Sequence, residues 1–371
     1  MSSTSIDALD LSGKPWSRPL ASSPAAHVQS LLENNKLREF WKYTPIGDFL
    51  KAYSHDAGDT SAVESGPAAK VQQLAELDEL DLKSVREALA NIDPQRYPLA
   101  EVAALHAGNA TLVRVEHTAD EPVRISHGGN ESLVLVSVAA GVQATLVEAA
   151  SEADFSNSLT VVIAEPGATV LHARSALESQ GLQCALLHVQ IAKGAEYQLQ
   201  QYCVGAARRR SDIHILLQGE RAQSNVVGAF VTEDGAHLDQ QLVVEHLAPR
   251  TNSTQQIHGI GLGDSRSAFT GRIHIHPGAP KADAHLSNKN LSLDARAHIN
   301  TKPELEIYTD DVACSHGATV GQLDPEQIFY LRSRGVPQTQ ARSLLCGAFI
   351  GSCIKGPLAE VASQRLTEFL R

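Results

Sequence analysis

The middle of the chain alternates apolar and polar residues in short runs that are separated by glycine. After Ala110, four such segments can be aligned: VSVAAGVQATLVE, VVIAEPGATVLHA, VQIAKGAEYQLQQ and IHILLQGERAQSNVV. Their separations are 26, 27 and 25 residues, counted between the aligned glycines Gly141, Gly167, Gly194 and Gly219. Alternation with a period of two predicts β-strands, and a near-constant spacing of about 20–50 residues is typical of repeat proteins.

These repeats predict a parallel β-helix. Their valine, threonine and glycine content disfavours helical repeats, and a propeller blade needs a period of about 40 residues. In a β-helix each coil buries its inward side chains only when neighbouring coils stack on it, which explains why the pattern recurs. The regularity weakens after about Ser224, although similar strand patterns continue in SAFTGRIHIHPG, AHLSNKNLSL and ELEIYTDDVAC.

Helical patterns flank the repeats on both sides. Before them, HVQSLLENNKLREFW (27–41) and KVQQLAELDELDLKSVREALANI (70–92) place apolar residues three and four apart. After them, the segment from Asp324 starts with an Asp-Pro helix signal, is interrupted at Gly335 and Pro337, and then resumes. The sequence therefore predicts a mainly β protein with three regions: a helical region 1–105, a β-helix core 106–320 and a helical region 321–371.

The charge balance argues against several classes of partner. The net charge is −11 and no extended basic tract is present, so we expect neither nucleic acid nor an anionic membrane as a partner. The short run from Arg208 to Arg210 is interpreted as a solvated turn rather than a phosphate site. The beginning has no apolar signal region, and the longest apolar stretch (133–142) is about half of a membrane span. We expect a soluble cytoplasmic protein.

The sequence shows neither a disulfide framework nor a familiar catalytic motif. The five cysteines are odd in number and widely spaced, which favours reduced thiols in the cytosol. No G-x-x-x-x-G-K-[ST] loop, no G-x-G-x-x-G at a helix start and no G-x-S-x-G elbow occurs. We therefore predict that the chain itself binds no nucleotide and performs no hydrolase chemistry.

Two histidines in RIHIHPG form a candidate metal site. His274 and His276 lie on one face of a predicted strand, and His285 and His298 follow. A cupin-like metal enzyme uses a His-x-His pair on a strand, so a stand-alone enzyme of this type is one hypothesis. The simpler interpretation is a row of histidines on the solvent face of the solenoid. It is favoured because no clear glutamate stands a few residues downstream to supply the usual carboxylate ligand.

A second candidate site lies in TDDVACSHGATVGQLD (309–324). In an extended segment Cys314 and His316 project from the same face with Cα atoms about 6.5–7 Å apart, so both can approach one soft or borderline metal. A Cys/His catalytic dyad is also conceivable. Zinc or iron is typically coordinated by about four ligands, and the other cysteines are far away in sequence. Either another chain completes the site, or a cluster is held transiently, or Cys314 is a buried structural residue beside a surface histidine.

One long segment, NKNLSLDARAHINTKPELEIYTDDVACSHGATVGQLDPEQIFYLRSRGV (288–336), resembles the signature region of the SufB/SufD family, scaffold proteins of iron–sulfur cluster assembly. Further similarity covers HLAPRTNSTQQIHGIGLGDSRSAFTGRIHI (246–275) and LREFWKYTPIGDFL (37–50), so the resemblance spans most of the chain. The Trp-Lys-Tyr-Thr stretch and the modest length resemble the SufD branch rather than the longer SufB.

This resemblance implies a right-handed parallel β-helix between two helical regions and a non-catalytic scaffold function. In the family, SufD pairs with SufB through the β-helices, and each binds one copy of the ATPase SufC through its C-terminal helices. By position, Cys314 and His316 match the family's Cys-Ser-His. The SufD histidine lies beside a SufB cysteine where a transient iron–sulfur cluster is thought to form. His316 is therefore the stronger candidate ligand and Cys314 the weaker.

Further expectations depend on the same resemblance. Phe329, Tyr330 and Arg332 follow the candidate site and are candidates for transmitting the motion of a partner, although a plain core helix would explain them about equally well. Because the extra N-terminal region of SufB is lacking, we do not assign sulfur acceptance from a persulfide donor to this chain. The resemblance leaves open the iron donor, the cluster type, homodimer formation and the binding of a reduced flavin to the complex.

Overall fold

The computed structural model contains a solenoid built from two sheets. It describes residues 40–44, 49, 61–73, 76–93, 96–106, 110–128, 130–177, 181–205, 208–368 and 370. Among these residues, eighteen strands form two nine-stranded sheets. The strands are β1 (Ala62–Glu64), β2 (Ala69–Gln73), β3 (Thr111–Val115), β4 (Val123–Ser126), β5 (Glu131–Val138), β6 (Gln143–Ala149), β7 (Phe155–Ala164), β8 (Thr169–Ala176), β9 (Leu182–Ile191), β10 (Glu196–Gly205), β11 (Arg208–Leu217), β12 (Gln223–Thr232), β13 (His237–His246), β14 (Asn252–Gly261), β15 (Arg266–Ile275), β16 (Ala282–Ser292), β17 (His298–Ile307) and β18 (Val312–Gly321).

From β3 onward, consecutive strands alternate between the two sheets, so each coil contributes one strand to each sheet. Sheet A has the order β1-β4-β6-β8-β10-β12-β14-β16-β18, and sheet B has the order β17-β15-β13-β11-β9-β7-β5-β3-β2. The neighbouring strands pair in parallel, except for the antiparallel pairs β1–β4 and β2–β3. This arrangement confirms the predicted parallel β-helix.

The inward side chains of the two sheets form one long apolar core. Val134 and Val136 of β5, Leu187 and Ile191 of β9 and Ile213 of β11 are all fully buried within it. Burying one such aliphatic side chain contributes roughly 1.5–3 kcal/mol. Because side chains alternate along a strand, the residues between them point to the outer faces of the sheets. The apolar alternation of the sequence therefore sets which face of each strand is inside.

The corners that lead from sheet B to sheet A stack on one another. Each contains a residue whose backbone adopts the left-handed conformation. Gly141, Gly167 and Gly194 have φ values of 71°, 72° and 67°, and each N–H donates to a carbonyl of the next coil at 3.0 Å. The fourth corner is occupied by Arg221, with a φ of 63°. The predicted alignment on Gly219 is therefore wrong by two residues.

The repeat lengthens along the solenoid. Arg250 and Lys281 take the corners after Arg221, again with positive φ. These corners are 29 and 31 residues apart, whereas the first ones are separated by 26 and 27. The lengthening explains why a constant period fades from the sequence after about Ser224, although strands of ten or eleven residues continue to the end of the solenoid.

Two N-terminal helices, α1 (Glu79–Leu89) and α2 (Pro98–His106), cover the outer face of sheet B over its first strands. Asp78 caps α1 by accepting a hydrogen bond from the N–H of Asp81 at 2.8 Å. The helix predicted from residue 70 starts too early, because residues 70–73 belong to β2 and pair with β3. Strand pairing at the start of sheet B thus overrides the helical spacing there. Residues 27–39 of the other predicted helix lie outside the described residues.

In the described C-terminal part, α3 (Pro325–Ser333), α4 (Gln338–Gly351) and α5 (Ala359–Glu368) follow the last strand, with a 3₁₀-helix at Gly356–Leu358. The helices α4 and α5 fold back onto the outer face of sheet A. A separate apolar core forms there from Leu177, Tyr202, Val204, Val227, Ala229, Val231, Ile260, Cys346, Ile350, Cys353, Ala362, Leu366 and Leu370. None of the helices in the described residues has the length and apolar character that crossing a membrane requires.

The run from Arg208 to Arg210 lies within strand β11, so its interpretation as a solvated turn is wrong. Arg208 is exposed, whereas Arg209 points into the solenoid and donates to Oε1 of Gln183 at 2.9 Å. Arg210 points outward but is buried, and it pairs with Asp212. Arg209 differs from both neighbours because successive residues of a strand face opposite sides. Arg208 and Arg210 share the outer face, where only Arg210 is buried.

One buried histidine shows why the fold should be sensitive to acid. Nδ1–H of His246 donates to the hydroxyl of Thr251 at 2.7 Å, because that hydroxyl donates its own proton to the carbonyl of Ala248. The hydroxyl of Ser253 then donates to Nε2 at 2.8 Å. Burial lowers the pKa of His246 to about 4, although Asp283 opposes the shift.

We expect the free energy of unfolding to fall as the pH falls from about 6.5 towards 4. The unfolded chain binds a proton at His246 below its ordinary pKa of about 6.5, while the folded chain does not, so the loss reaches about 2 kcal/mol at a pH of about 5. Urea unfolding across this range measures it. The variant His246→Gln should flatten the dependence. An unchanged slope in His246→Gln would contradict the assignment.

Candidate metal centre at the open end of the solenoid

The last coil of the solenoid is exposed. In the described part of the chain, β17 and β18 end the two sheets and pair on one side, with β15 and β16 respectively. Large apolar side chains at this end face the solvent: Ile307, Tyr308 and Val320. An edge strand beside exposed apolar surface is a template for pairing with another chain. This end is therefore a candidate partner surface.

Cys314 and His316 lie in β18 and share its inward face. The register places Cys314 beside Ala284 and His316 beside Leu286, and both partners belong to the core. Cys314 is half-buried and packs against that core, whereas His316 is exposed. The pair thus lies at the mouth of the solenoid interior, where the next coil would otherwise stack.

The Cys314 thiol is protonated in the isolated chain at neutral pH. Burial raises its pKa, and the negative charge of Asp283 raises it further. A thiolate ligand would therefore need a metal or a cation from another chain to stabilise it. Histidine binds metals through an imidazole nitrogen without becoming an anion, so the exposed His316 does not depend on such a cation.

Within the part of the chain that the structure describes, the pair does not form a complete metal site. Among the described residues, neither Cys314 nor His316 belongs to a set of three ligand atoms that lie within 4.8 Å of one another. The intervening Ser315 faces the other side of the strand, where its hydroxyl lies 2.6 Å from Nδ1 of His285. His285 also pairs with Asp283 at 2.7 Å, so it does not approach His316.

Helix α3, which follows the site, has no buried residue. Asp324 caps it by accepting from the N–H of Glu326 at 2.9 Å, which confirms the predicted helix start. Phe329 and Tyr330 are 72% and 57% exposed, and Arg332 is also exposed. The interpretation of this segment as a plain core helix is therefore wrong. Two exposed aromatic rings on one short helix are typical of a partner surface.

The other two sequence candidates, His274 and His276, lie on the outer face of sheet B. A carboxylate joins them: Nε2 of His276 lies 2.8 Å from Oε2 of Glu245, and Nδ1 of His274 lies 3.8 Å from the same oxygen. No glutamate stands a few residues downstream of this pair, but Glu245 of the preceding coil supplies a carboxylate beside it. His298 is exposed at the start of β17 and does not belong to this group.

Glu245 is ionised over the whole physiological range. Burial by itself would raise its pKa, but hydrogen bonds from His214 and His276 outweigh burial and hold the pKa at about 2. Nε2 of His214 lies 2.8 Å from Oε1 of Glu245. Each oxygen of the carboxylate thus has its own imidazole partner.

The model of the SufBD core domain of the SUF system for FeS cluster assembly matches residues 123–349, which is more than half of the sequence. The chain belongs to the SufBD family of iron–sulfur cluster assembly proteins. The match covers the solenoid from β4 onward and includes both Cys314 and His316. The resemblance of the sequence to the SufB/SufD family is therefore confirmed.

Similar proteins of this family occur in several bacteria. The iron–sulfur cluster assembly protein SufD of Escherichia coli is 29% identical over 369 residues, which cover 88% of this chain and 87% of that protein. The SufBD family protein Rv1462 of Mycobacterium tuberculosis is 27% identical, covering 89% of this chain and 86% of its own length. The SufBD family protein slr0076 of Synechocystis is 31% identical over 57% of this chain and 47% of its own.

The local sequence pattern does not identify Glu245 as a neighbour of His274 and His276. The feature that could have identified it is the longer repeat in this part of the SufBD solenoid. Glu245 and His274 are 29 residues apart, the same separation as the corners Arg221 and Arg250. A search with the constant period of 25–27 residues could not bring them together.

Proposed function

We propose that this chain is the SufD-like scaffold subunit of a complex with SufB and the ATPase SufC. It pairs with SufB through the open end of the solenoid and contributes His316, and more weakly Cys314, to a nascent iron–sulfur cluster whose other ligands SufB supplies. The observation that carries the proposal is an exposed His316 at an unfinished coil, with no complete ligand set around it in the described residues. The cluster is cargo, and the chain itself binds no nucleotide.

The free edges of the two sheets support the pairing. A partner solenoid that added its strands to β17 and β18 would cover Ile307, Tyr308 and Val320 and would satisfy the outer backbone groups. His316, which lies on the inward face of β18, would then lie inside the interface between the two solenoids. Such a site is shielded from water, so a bound cluster is protected while its ligands remain divided between two chains.

We expect His316→Ala to reduce cluster assembly in the reconstituted complex by at least about tenfold, because removing even an outer hydrogen-bond partner of a metal ligand typically costs about 10–100-fold in affinity or activity. Sulfide-and-iron reconstitution followed by visible absorption measures the rate. Cys314→Ser should reduce it less. The matched control is His285→Ala, an exposed histidine on the adjacent strand that faces away from the site. Assembly at the normal rate in His316→Ala would remove the ligand role.

The C-terminal helices carry apolar surface that SufC can cover. Phe329 and Tyr330 of α3, Leu344 of α4 and Val361 of α5 are exposed, whereas the opposite faces of α4 and α5 are buried on sheet A. When SufC binds ATP and its two copies close together, a rigid attachment here would move the solenoids and expose the shared site. This is a population shift driven by nucleotide in the partner.

We expect the double variant Phe329→Ala/Tyr330→Ala to weaken SufC binding by roughly 30-fold, because a buried aromatic pair is worth about 2 kcal/mol or more at an interface. SufB binding should be unchanged. The reciprocal control is Ile307→Ala/Tyr308→Ala at the solenoid end, which should weaken SufB binding and leave SufC binding intact. Calorimetric titration of each partner separates the two surfaces. Loss of both partners in one variant would argue against separate interfaces.

A further inference from the structure

We propose that Glu245, His274 and His276 form a second metal site, on the outer face of sheet B, which binds a borderline divalent cation such as Zn²⁺ or Fe²⁺. Their ligand atoms all lie within 4.8 Å of one another. They are one carboxylate and two imidazoles, the donor set that zinc sites and non-haem ferrous sites use with one or more open positions. The set contains no sulfur, which distinguishes it from the pair at the open end.

The register of the sheet assembles this set. Glu245 of β13 and His274 of β15 are directly opposite each other, and His276 follows two residues later with the same orientation. Around a tetrahedral ion with ligand distances of about 2.0–2.1 Å, neighbouring ligand atoms are about 3.3 Å apart. The observed separations of 2.8 and 3.8 Å from Oε2 of Glu245 bracket that value. The backbone therefore needs no rearrangement to accept an ion.

A buried chain of hydrogen bonds orients the carboxylate. The amide of Gln190 donates to Nε2 of His188, so Nδ1–H of His188 donates to Nδ1 of His214, with both distances 3.2 Å. Nε2–H of His214 then donates to Oε1 of Glu245 at 2.8 Å. This chain holds both buried imidazoles neutral and turns Oε2 towards His274 and His276. Outer hydrogen bonds of this kind are characteristic of metal-binding carboxylates and histidines.

The two imidazoles can reach an ion from the solvent side. Their rings stack with centroids 3.9 Å apart and an angle of 19° between the planes. A metal lies near the plane of each imidazole that binds it, so one ring must rotate about its terminal torsion when the ion enters. The side chains of His274 and His276 are 22% and 29% exposed, which leaves room for that rotation. Binding should therefore separate the stacked rings.

A neighbouring carboxylate limits the fourth position. Oε2 of Glu306 lies 3.8 Å from Nδ1 of His274, but Oε1 of Glu306 is paired with Arg272 at 3.2 Å. A water molecule is therefore the expected fourth ligand, and the ion keeps an exchangeable position. Nitrogen donors exclude Mg²⁺ and Ca²⁺, which select oxygen ligands.

Titration with Co²⁺ under reducing, anaerobic conditions tests the proposal on the full chain. We expect one ion per chain with visible d–d bands and no thiolate-to-cobalt charge-transfer band, because no cysteine takes part. His276→Ala should weaken binding by at least about tenfold, because loss of even an outer hydrogen-bond partner of a metal ligand typically costs about 10–100-fold. Displacement by Zn²⁺ and Fe²⁺, but not by Mg²⁺, should follow. The matched control Cys314→Ser/His316→Ala should bind cobalt as the unaltered chain does.

Two outcomes would overturn the proposal. One is the absence of stoichiometric cobalt binding. The other is a charge-transfer band that disappears in Cys314→Ser/His316→Ala and persists in His276→Ala, which would place the ion at the open end instead. His276 is half-exposed, and Glu245→Gln provides a second variant that keeps the size of the side chain. A thermal unfolding midpoint of His276→Ala close to that of the unaltered chain would show that the variant has lost metal binding and not its fold.

Discussion

Replacing Arg210 by alanine is expected to lower the free energy of unfolding by about 3–5 kcal/mol, because it leaves buried carboxylates without their closest cation. The guanidinium forms two hydrogen bonds with Asp212, at 2.8 and 2.9 Å, and a third with Oδ2 of Asp239 at 3.0 Å. Its Cζ lies 3.9 Å from the centroid of the Trp41 ring, and it also donates to the carbonyl of Phe40 at 2.9 Å.

This arginine therefore ties the segment around Trp41 to the outer face of sheet B. Thr44 closes the arrangement by hydrogen bonding to Asp239. We expect Arg210→Ala both to destabilise the solenoid and to release this segment, as measured by urea unfolding and by the fluorescence of Trp41. The penalty should shrink as the pH falls, because burial already raises the pKa of Asp212 despite the arginine, and a protonated carboxyl no longer needs a cation.

Arg208→Ala is the matched control, since Arg208 is exposed two residues earlier on the same strand. It should change the free energy of unfolding by less than about 0.5 kcal/mol. A double-mutant cycle adds a second check: Asp239→Ala should cost less in the Arg210→Ala background than in the unaltered chain. Additive losses would mean that the two side chains do not stabilise each other.

Removal of residues 336–371 is expected to yield a chain that no longer folds in soluble form. The outer face of sheet A would lose its cover, which exposes four aliphatic side chains: Val204, Val227, Val231 and Ile260. At about 1.5–3 kcal/mol each, the loss is on the order of 6–12 kcal/mol, comparable with the whole stability of a domain of about 5–15 kcal/mol.

Hydrogen bonds at the same face would be lost as well. The Tyr202 hydroxyl accepts from the N–H of Lys355 at 2.8 Å and is buried beneath the helices. His258 stacks on Phe349 at 4.6 Å and bonds to its carbonyl. Truncation therefore cannot isolate a partner surface, and point changes at Phe329 and Tyr330 are the better test. Thermal unfolding of the truncated chain checks this: a soluble product with an unchanged midpoint would show that the helices do not stabilise the solenoid.

The spacing of Cys314 and His316 made this part of the candidate site predictable from the sequence. Cys314 and His316 are two residues apart, so any extended conformation brings them to one face, and their association needed no tertiary information. Their position at the open end of the solenoid did need it, because nothing in the segment shows that β18 is the last strand of its sheet. The link between Glu245 and His274 likewise depends on which residues of two coils become neighbours.

The sequence by itself determined the class of fold, the inward face of each repeat and the helix start at Asp324, because these depend on alternation and on a capping residue within a few positions. The tertiary structure decided the rest. Arg210 became buried because distant residues cover it, and residues 70–73 became a strand because β3 offered hydrogen-bond partners. Gly219 is required where a Cβ would lie 2.0 Å from the backbone nitrogen of Lys193. In each case the decisive neighbour is remote in the chain, and a local pattern contains no information about it.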